Sequence, residues 1–273
     1  MIFRRRQPAG ESPVVEGSPP PPEAVRPGRG EFEAVAPYYD ALMTGVPYFR
    51  WVDYVERLLA AYNTPAHQVL DLACGTGQVG VEMIRRGYRA VGLDLSEPMM
   101  RLCARQKPPL PAVVMDAGRL GLAPESLDLV VCLFDSLNYI LDPEALRRCF
   151  AQVHRALRPG KPFIFDLNTP RALKIGLFTQ DNLRSTSLLH YRWESSWDAA
   201  RRLCRVDMWF QWRGEGGPAE FQETHYQRAY EEEEVLGWLR DAGFAGADAF
   251  EAYTLRPVGP LTDRMFLVGK KAE

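Results

Sequence analysis

The chain has 273 residues, 46% of them hydrophobic, enough for one large domain or two small ones around a substantial core. Its 33 Lys and Arg against 35 Asp and Glu give a net charge of −2, so it lacks the overall basic field that draws proteins to nucleic acid. No apolar run approaches the ~20 residues that span a bilayer, and no apolar stretch follows the arginines of "MIFRRR" as a secretory signal requires; a cytoplasmic protein without a membrane partner is expected.

Residues 1–30 hold seven of the 22 prolines, with few large apolar side chains between them, and are predicted to be a disordered tail because they cannot bury enough surface to offset their ordering entropy. From Glu31 the pattern changes. "FEAVAPYYDALM" and "YFRWVDYVERLLAAY" space apolar residues as helices do, with Val52, Val55, Leu58 and Leu59 on one face. Strands and helices then alternate: "QVLDLAC", helix "QVGVEMIRRG", "RAVGLDLS", helix "EPMMRLCARQ", "AVVMDA", "LDLVVCLF", helix "PEALRRCFAQVHRAL" and "KPFIFDLN". Strands separated by helices at this spacing require right-handed crossovers and a parallel sheet covered on both faces. Between about 171 and 229 the rhythm breaks. "LCRVDMWFQWR" and "AEFQETHYQRAY" alternate about a "GEGGP" turn, with "LHYRWESSW" as a third strand, so an antiparallel insertion is expected after the fifth strand. A helix, "EEEEVLGWLRDAGF", and two closing strands, "ADAFEAYTL" and "DRMFLVGKK", complete the chain.

Five widely spaced cysteines without a CxxC pair form neither a disulfide framework nor a zinc site, and the four histidines lack ligand spacing, so no metal is expected. The informative stretch is "VLDLACGTGQVG", residues 69–80. Its GTGQVG matches the glycine fingerprint of dinucleotide-binding loops. Asp71, however, sits four residues before Gly75, a carboxylate near the place a pyrophosphate would occupy. That charge suits a ligand bearing an ammonium and a sulfonium. Asp94, 17 positions beyond Gly77, can accept from ribose hydroxyls, as acidic residues there also do for NAD; a nicotinamide-dependent oxidoreductase is the alternative this residue leaves open.

"LDLACGTG" resembles motif I of the class I S-adenosylmethionine-dependent methyltransferases, and "GLDLS", "MDAGRL", "LVVCLFDSLNYI" and "RALRPGKPFIFDLN" follow in that family's order over residues 36–168. The resemblance implies a Rossmann-like, doubly wound, mostly parallel seven-stranded α/β sheet formed by 31–170 and 230–273, with 171–229 as a β-insertion or lid. It implies S-adenosyl-L-methionine as cofactor, held by Asp71, Ala73, Cys74, Gly75 and Gly77, with Asp94 and Leu95 at the ribose. Met99, Met115, Asp116 and Ala117 fall at the adenine, and Phe134 and Asp135 beside the methyl group. Tyr38 and Tyr39, in a stretch similar to the entry helix of small-molecule methyltransferases, are expected to close over the cofactor. The "LFDSLNYI" segment is not of the NPPY type, which disfavours DNA adenine methylation and implies a small-molecule acceptor with a nitrogen or oxygen nucleophile. Asn138, Tyr139 and Arg228 are the expected substrate contacts. His225 is the candidate base, with Tyr139 as a second catalytic residue. Trp193, Trp197, Trp209 and Trp212 in the insertion either face a planar or cationic substrate or pack within their own layer. A module that binds the cofactor without catalysis is a further alternative, and nothing in the sequence specifies an oligomeric state.

Overall fold

Val69, Leu70 and Leu72 put apolar side chains on both faces of strand β1 (Gln68–Leu72), which lies inside a seven-stranded sheet with four of its five residues buried. A computed structural model describes residues 31–181 and 188–273; the proline-rich tail expected to be disordered lies outside the described residues. Helix α1 (Tyr39–Leu42) and helix α2 (Tyr48–Ala61) precede β1. After it come α3 (Gln78–Arg85), β2 (Arg89–Asp94), α4 (Glu97–Cys103), β3 (Ala112–Val114), β4 (Leu129–Cys132), α5 (Pro143–Ala156), β5 (Pro162–Asn168) and α6 (Pro170–Lys174). A second, four-stranded sheet contains β6 (Gln180–Asp181), β7 (Leu189–Asp198), β8 (Leu203–Trp212) and β9 (Ala219–Arg228), and α7 (Glu232–Asp241), β10 (Phe244–Glu251) and β11 (Arg264–Lys271) return to the first.

The main sheet has the order β10-β11-β5-β4-β1-β2-β3, parallel throughout except for β11, which runs antiparallel to both β5 and β10. The chain winds outward from β1 through β2 and β3, then from β4 on the other side of β1. The order therefore reverses between β1 and β4, and a crevice opens beyond their carboxyl ends. Local chemistry fixes the elements around it. Ser96 caps α4 by accepting from Met99 N, Asp142 caps α5 by accepting from Glu144 N, and Glu231 and Glu234 form a reciprocal capping box on α7.

Two expectations shift. The helix expected across 32–43 is broken into a 3₁₀ turn, Ala36–Tyr38, and the four-residue α1. Pro37 cannot donate a backbone bond, and the N–H groups of Phe32, Ala34 and Val35 are taken by the Glu223 carboxylate instead of a helical ladder. Strand β10 begins at Phe244, three residues earlier than its sequence suggested, pairing with Lys271 before a register shift ahead of Gly246. The second sheet gains the short β6 on its edge. In β8 Cys204, Val206, Met208 and Phe210 are buried on one face and pack with Tyr191 of β7, Val35 and Leu173. Alternation with period two thus turns one face of this sheet inward, toward the crevice.

Candidate active site

The crevice is a cavity of 2720 Å³ whose wall includes the ends of β1, β2 and β4, the segment around α1, and the inner face of the second sheet. Its first half is built by β1 and β2. Asp71 is only 2% exposed, and its Oδ2 accepts the Gly80 N–H at 2.8 Å, so it satisfies an otherwise unpaired donor in the first turn of α3. Burial, the largest influence, raises its pKa to about 7 despite that bond, with the Asp94 charge adding to the rise. At the end of β2, Asp94 accepts Gly75 N and Ser96 N, each at 2.8 Å, and burial likewise raises its pKa. Gly75 has φ +54°, and a Cβ there would meet only open space, so the bare backbone faces the cavity. Leu95 beside it is 49% exposed, although leucine at a strand end ordinarily buries. Ala73, Cys74, Met99, Met115, Asp116 and Ala117 complete this part of the wall. Asp116 also caps the following turn through Gly118 N at 2.7 Å.

Five non-glycine residues with left-handed backbones line the cavity: Phe32 (φ 64°), Ala73 (φ 58°), Phe134 (φ 64°), Asp135 (φ 53°) and Tyr253 (φ 63°). Such conformations cost about 1 kcal/mol or more each and cluster where a fold re-aims side chains. Phe134 stacks on Trp51 of α2 with ring centroids 4.0 Å apart. Asp135 is held by Arg264 Nη2 at 2.7 Å and Gln227 Nε2 at 2.6 Å, while Arg264 also pairs with the fully buried Asp166. Burial raises the Asp166 pKa to about 6, with the Arg264 charge opposing the rise. Above lies the second sheet, with Tyr191, Trp193, Met208, Phe210 and His225 facing the cavity and Tyr139 opposite them.

Four expected site residues are not in that wall. Tyr38 stacks instead on Phe221 at 4.9 Å and packs against Trp212, fastening the N-terminal segment to the second sheet, and it is the adjacent Tyr39 that lines the cavity. At Gly77 a Cβ would fall 2.7 Å from the Cys103 sulfur, so this glycine, at φ +85°, serves the packing of α4 and the start of α3. Asn138 is fully buried and holds β5 to β9: it donates to Asn168 O at 3.3 Å and Arg228 O at 2.9 Å, and accepts Asn168 N at 3.0 Å. Its amide is spent on backbone, and it does not reach the cavity wall as the expected substrate contact would. Arg228 turns outward toward Leu141 O and the Tyr230 ring. His225 lines the cavity but is only 1% exposed, and both its nitrogens are engaged, by Glu223 Oε2 at 2.7 Å and the Tyr139 hydroxyl at 3.2 Å. Of the four tryptophans of the insertion, Trp193 lines the cavity, while Trp197 and Trp209 lie under Lys174 and Arg192.

The sequence reading passed over Glu223, Gln227, Asp166 and Arg264. The first two share the alternating face of His225, a signal already present in "ETHYQ"; the pairing of Asp166 with Arg264 joins strands 98 residues apart and leaves no local trace.

An exposed leucine beside a carboxylate at a strand end, an open glycine turn and a second buried carboxylate at β1 fit an adenosine that carries a cationic amino-acid group. Fold and cavity together define a class I S-adenosylmethionine-dependent methyltransferase. Residues 69–160 match the family model described as a methyltransferase domain. A relative from Geobacillus sp. (strain WCH70), provisionally named a methyltransferase, is 28% identical over 248 residues, covering 88% of this chain and 99% of that protein. The crystal structure of an S-adenosylmethionine-dependent methyltransferase from Clostridium acetobutylicum ATCC 824 superimposes with a TM-score of 0.74 at 26% identity, over 88% of this chain and 98% of that one. The sugar N-methyltransferase KedS8 from Streptoalloteichus sp ATCC 53650 shares the fold, with a TM-score of 0.72 at 20% identity over 98% of this chain and 100% of that one. The GTGQVG turn thus belongs to a methyltransferase, and the oxidoreductase alternative falls away.

Proposed function

We propose that this enzyme transfers the methyl group to a nitrogen or oxygen of a small molecule bound between the ends of β4 and β5 and the second sheet. The observation that carries this reading is the roof. Residues of β7, β8 and β9, with Phe32 and Tyr39, line the cavity opposite the main sheet, which favours an acceptor small enough to enter it. Residues 171–229 act as the unit that selects the acceptor. That the fold accommodates a sugar nitrogen in KedS8 agrees with an acceptor of this size.

The cofactor supplies an electrophilic methyl carbon on a cationic sulfur. The chain's own residues do the rest. Asp94 would accept the ribose hydroxyls, with Leu95, Met99, Met115 and Ala117 placed to cover the adenine and Asp116 to accept from its amine. Asp71, ionised, favours the amino group through charge, and Gly75 lets the backbone approach. Asp135, held between Arg264 and Gln227, faces the reacting end. Holding nucleophile and methyl in line supplies ~7–11 kcal/mol of the barrier reduction, so positioning dominates.

The test is a methyl-transfer screen across amines, phenols, sugars and carboxylic acids, read as S-adenosylhomocysteine formed. Turnover of a soluble amine or hydroxyl compound is expected; methylation of protein or nucleic acid alone would overturn the reading.

A further inference from the structure

We propose that Glu223, His225 and Tyr139 form a proton relay in which the Tyr139 hydroxyl, not the imidazole, meets the acceptor. The inference rests on the reading of a nitrogen or oxygen nucleophile. Its three groups come from both sheets: Tyr139 from the 3₁₀ turn Ser136–Tyr139 that follows β4, and Glu223 and His225 from alternate positions on β9.

The partners of Glu223 give the relay its direction. The Glu223 carboxylate, 8% exposed, accepts Ala34 N at 2.6 Å, Val35 N at 3.0 Å and Phe32 N at 3.2 Å, and its fourth partner is His225 Nε2 at 2.7 Å. With three backbone N–H donors on its two oxygens, the Glu223 carboxylate also faces Nε2 as an acceptor, so the imidazole hydrogen belongs on Nε2. In the neutral ring with its hydrogen on Nε2, His225 Nδ1 offers a lone pair that accepts from the Tyr139 hydroxyl 3.2 Å away. The Phe32 ring lies 4.5 Å from the imidazole and 5.3 Å from the Tyr139 ring, covering the pair. Other titratable groups facing the relay are Glu31, whose carboxylate accepts Tyr226 N, Asp135 and Tyr39. Desolvation first, then the nearby Asp135 charge, holds the Tyr139 hydroxyl protonated at rest. With both imidazole nitrogens spoken for, the relay reaches the cavity only through the tyrosine oxygen.

The acceptor's nitrogen or oxygen bonds to the methyl carbon while the carbon–sulfur pair withdraws onto sulfur. The acceptor's proton passes to Tyr139 Oη as the tyrosine's own proton moves to His225 Nδ1. The resulting imidazolium lies against the Glu223 carboxylate, and its proton returns to water once the products leave. Tyr139 is thus the catalytic residue, and His225 and Glu223 position and charge it.

Full-length protein labelled with ¹⁵N-histidine tests the arrangement without an acceptor. Long-range proton–nitrogen spectra, with the His225 signals assigned by their loss in His225→Gln, should show the neutral Nε2–H tautomer. Tyr139→Phe should move the Nδ1 resonance, and Tyr226→Phe, on the opposite face of β9, should not. An Nδ1–H tautomer, or an Nδ1 signal indifferent to Tyr139→Phe, overturns the relay. With an acceptor from the screen, Tyr139→Phe should lower kcat by about 10²–10⁴-fold at unchanged KM for the cofactor, and Glu223→Gln should lower kcat and displace the pH profile. Wild-type kcat in Tyr139→Phe overturns the catalytic role while leaving the function standing. Failure of every nitrogen and oxygen acceptor overturns the functional reading, and the spectra still decide whether the relay exists.

Discussion

Replacing Arg264 by Met should unbalance the floor of the active site in a pH-dependent way. The guanidinium bridges Asp135 and the fully buried Asp166, and it lies over the Trp51 ring with its carbon 5.2 Å from the centroid. Methionine keeps much of the stem's volume and removes the charge, leaving two carboxylates facing one another in the interior. Breaking a buried pair by deleting one partner costs ~3–5 kcal/mol. Arg264 retains 21% side-chain exposure, so water screens part of the loss and the lower end applies. About 3 kcal/mol corresponds to roughly 6–12 °C in melting temperature for a domain of this size. The sign with pH follows from Asp166. Its folded pKa, about 6 with Arg264 present, already exceeds the 3.8 of a free aspartate, so the fold favours the protonated acid. Its ionised form therefore costs stability as pH rises through that interval. Without Arg264 the opposing charge is lost and the folded pKa climbs further. The deficit should be complete near pH 8 and shrink as the pH falls toward 5, where Asp166 binds its proton. Differential scanning calorimetry of both proteins across that range measures it. A variant melting within a couple of degrees of wild type at pH 8, or a deficit that grows on acidification, would refute the reasoning.

Asp94→Ala should weaken S-adenosylmethionine and S-adenosylhomocysteine alike by roughly 10- to 100-fold in calorimetric titrations, the loss of a charged hydrogen-bond acceptor; unchanged affinity would remove Asp94 from the ribose site. Because the Asp71 pKa is raised to about 7, affinity for the cationic cofactor should increase from pH 6 to 8 as the carboxylate ionises, and Asp71→Asn should flatten that dependence. Asn138→Ala leaves backbone groups of Asn168 and Arg228 without their partner, so chemical denaturation should report a loss of about 1–3 kcal/mol. Arg228→Ala, outside the cavity wall, should leave acceptor KM within about two-fold of wild type, and a large rise would restore it as a substrate anchor.

The succession of strands and helices that builds the main sheet was legible in the chain because its signals are local, whereas the order in which the strands lie side by side came from the structure. Alternating strands and helices, the glycine turn after "LDLAC" and the carboxylate closing "GLDL" each depend on neighbours a few residues away, and the parallel crossovers follow from chain chirality. The period-two pattern of β8 likewise put Cys204, Val206, Met208 and Phe210 on one face, and these are the buried residues; in β9 the buried face carries the polar Glu223, His225 and Gln227, which alternation alone does not mark as interior. Position relative to the cavity was a different matter. Tyr38 and Tyr39 are adjacent aromatic residues, and only the break at Pro37 and the docking of the segment on β9 turn one outward to Phe221 and the other inward. Asn138 and Tyr139 read equally well as substrate contacts. The structure ties the first to backbone at the ends of β5 and β9 and presents the second to His225. Arg264 and Asp166 meet across 98 residues, and Glu223 gathers N–H groups nearly 190 residues away. Hydrogen bonds and ion pairs of that span depend on where two sheets come to rest against each other. Apolar periodicity records which face of an element is buried; which partner waits there is decided only when the chain has closed.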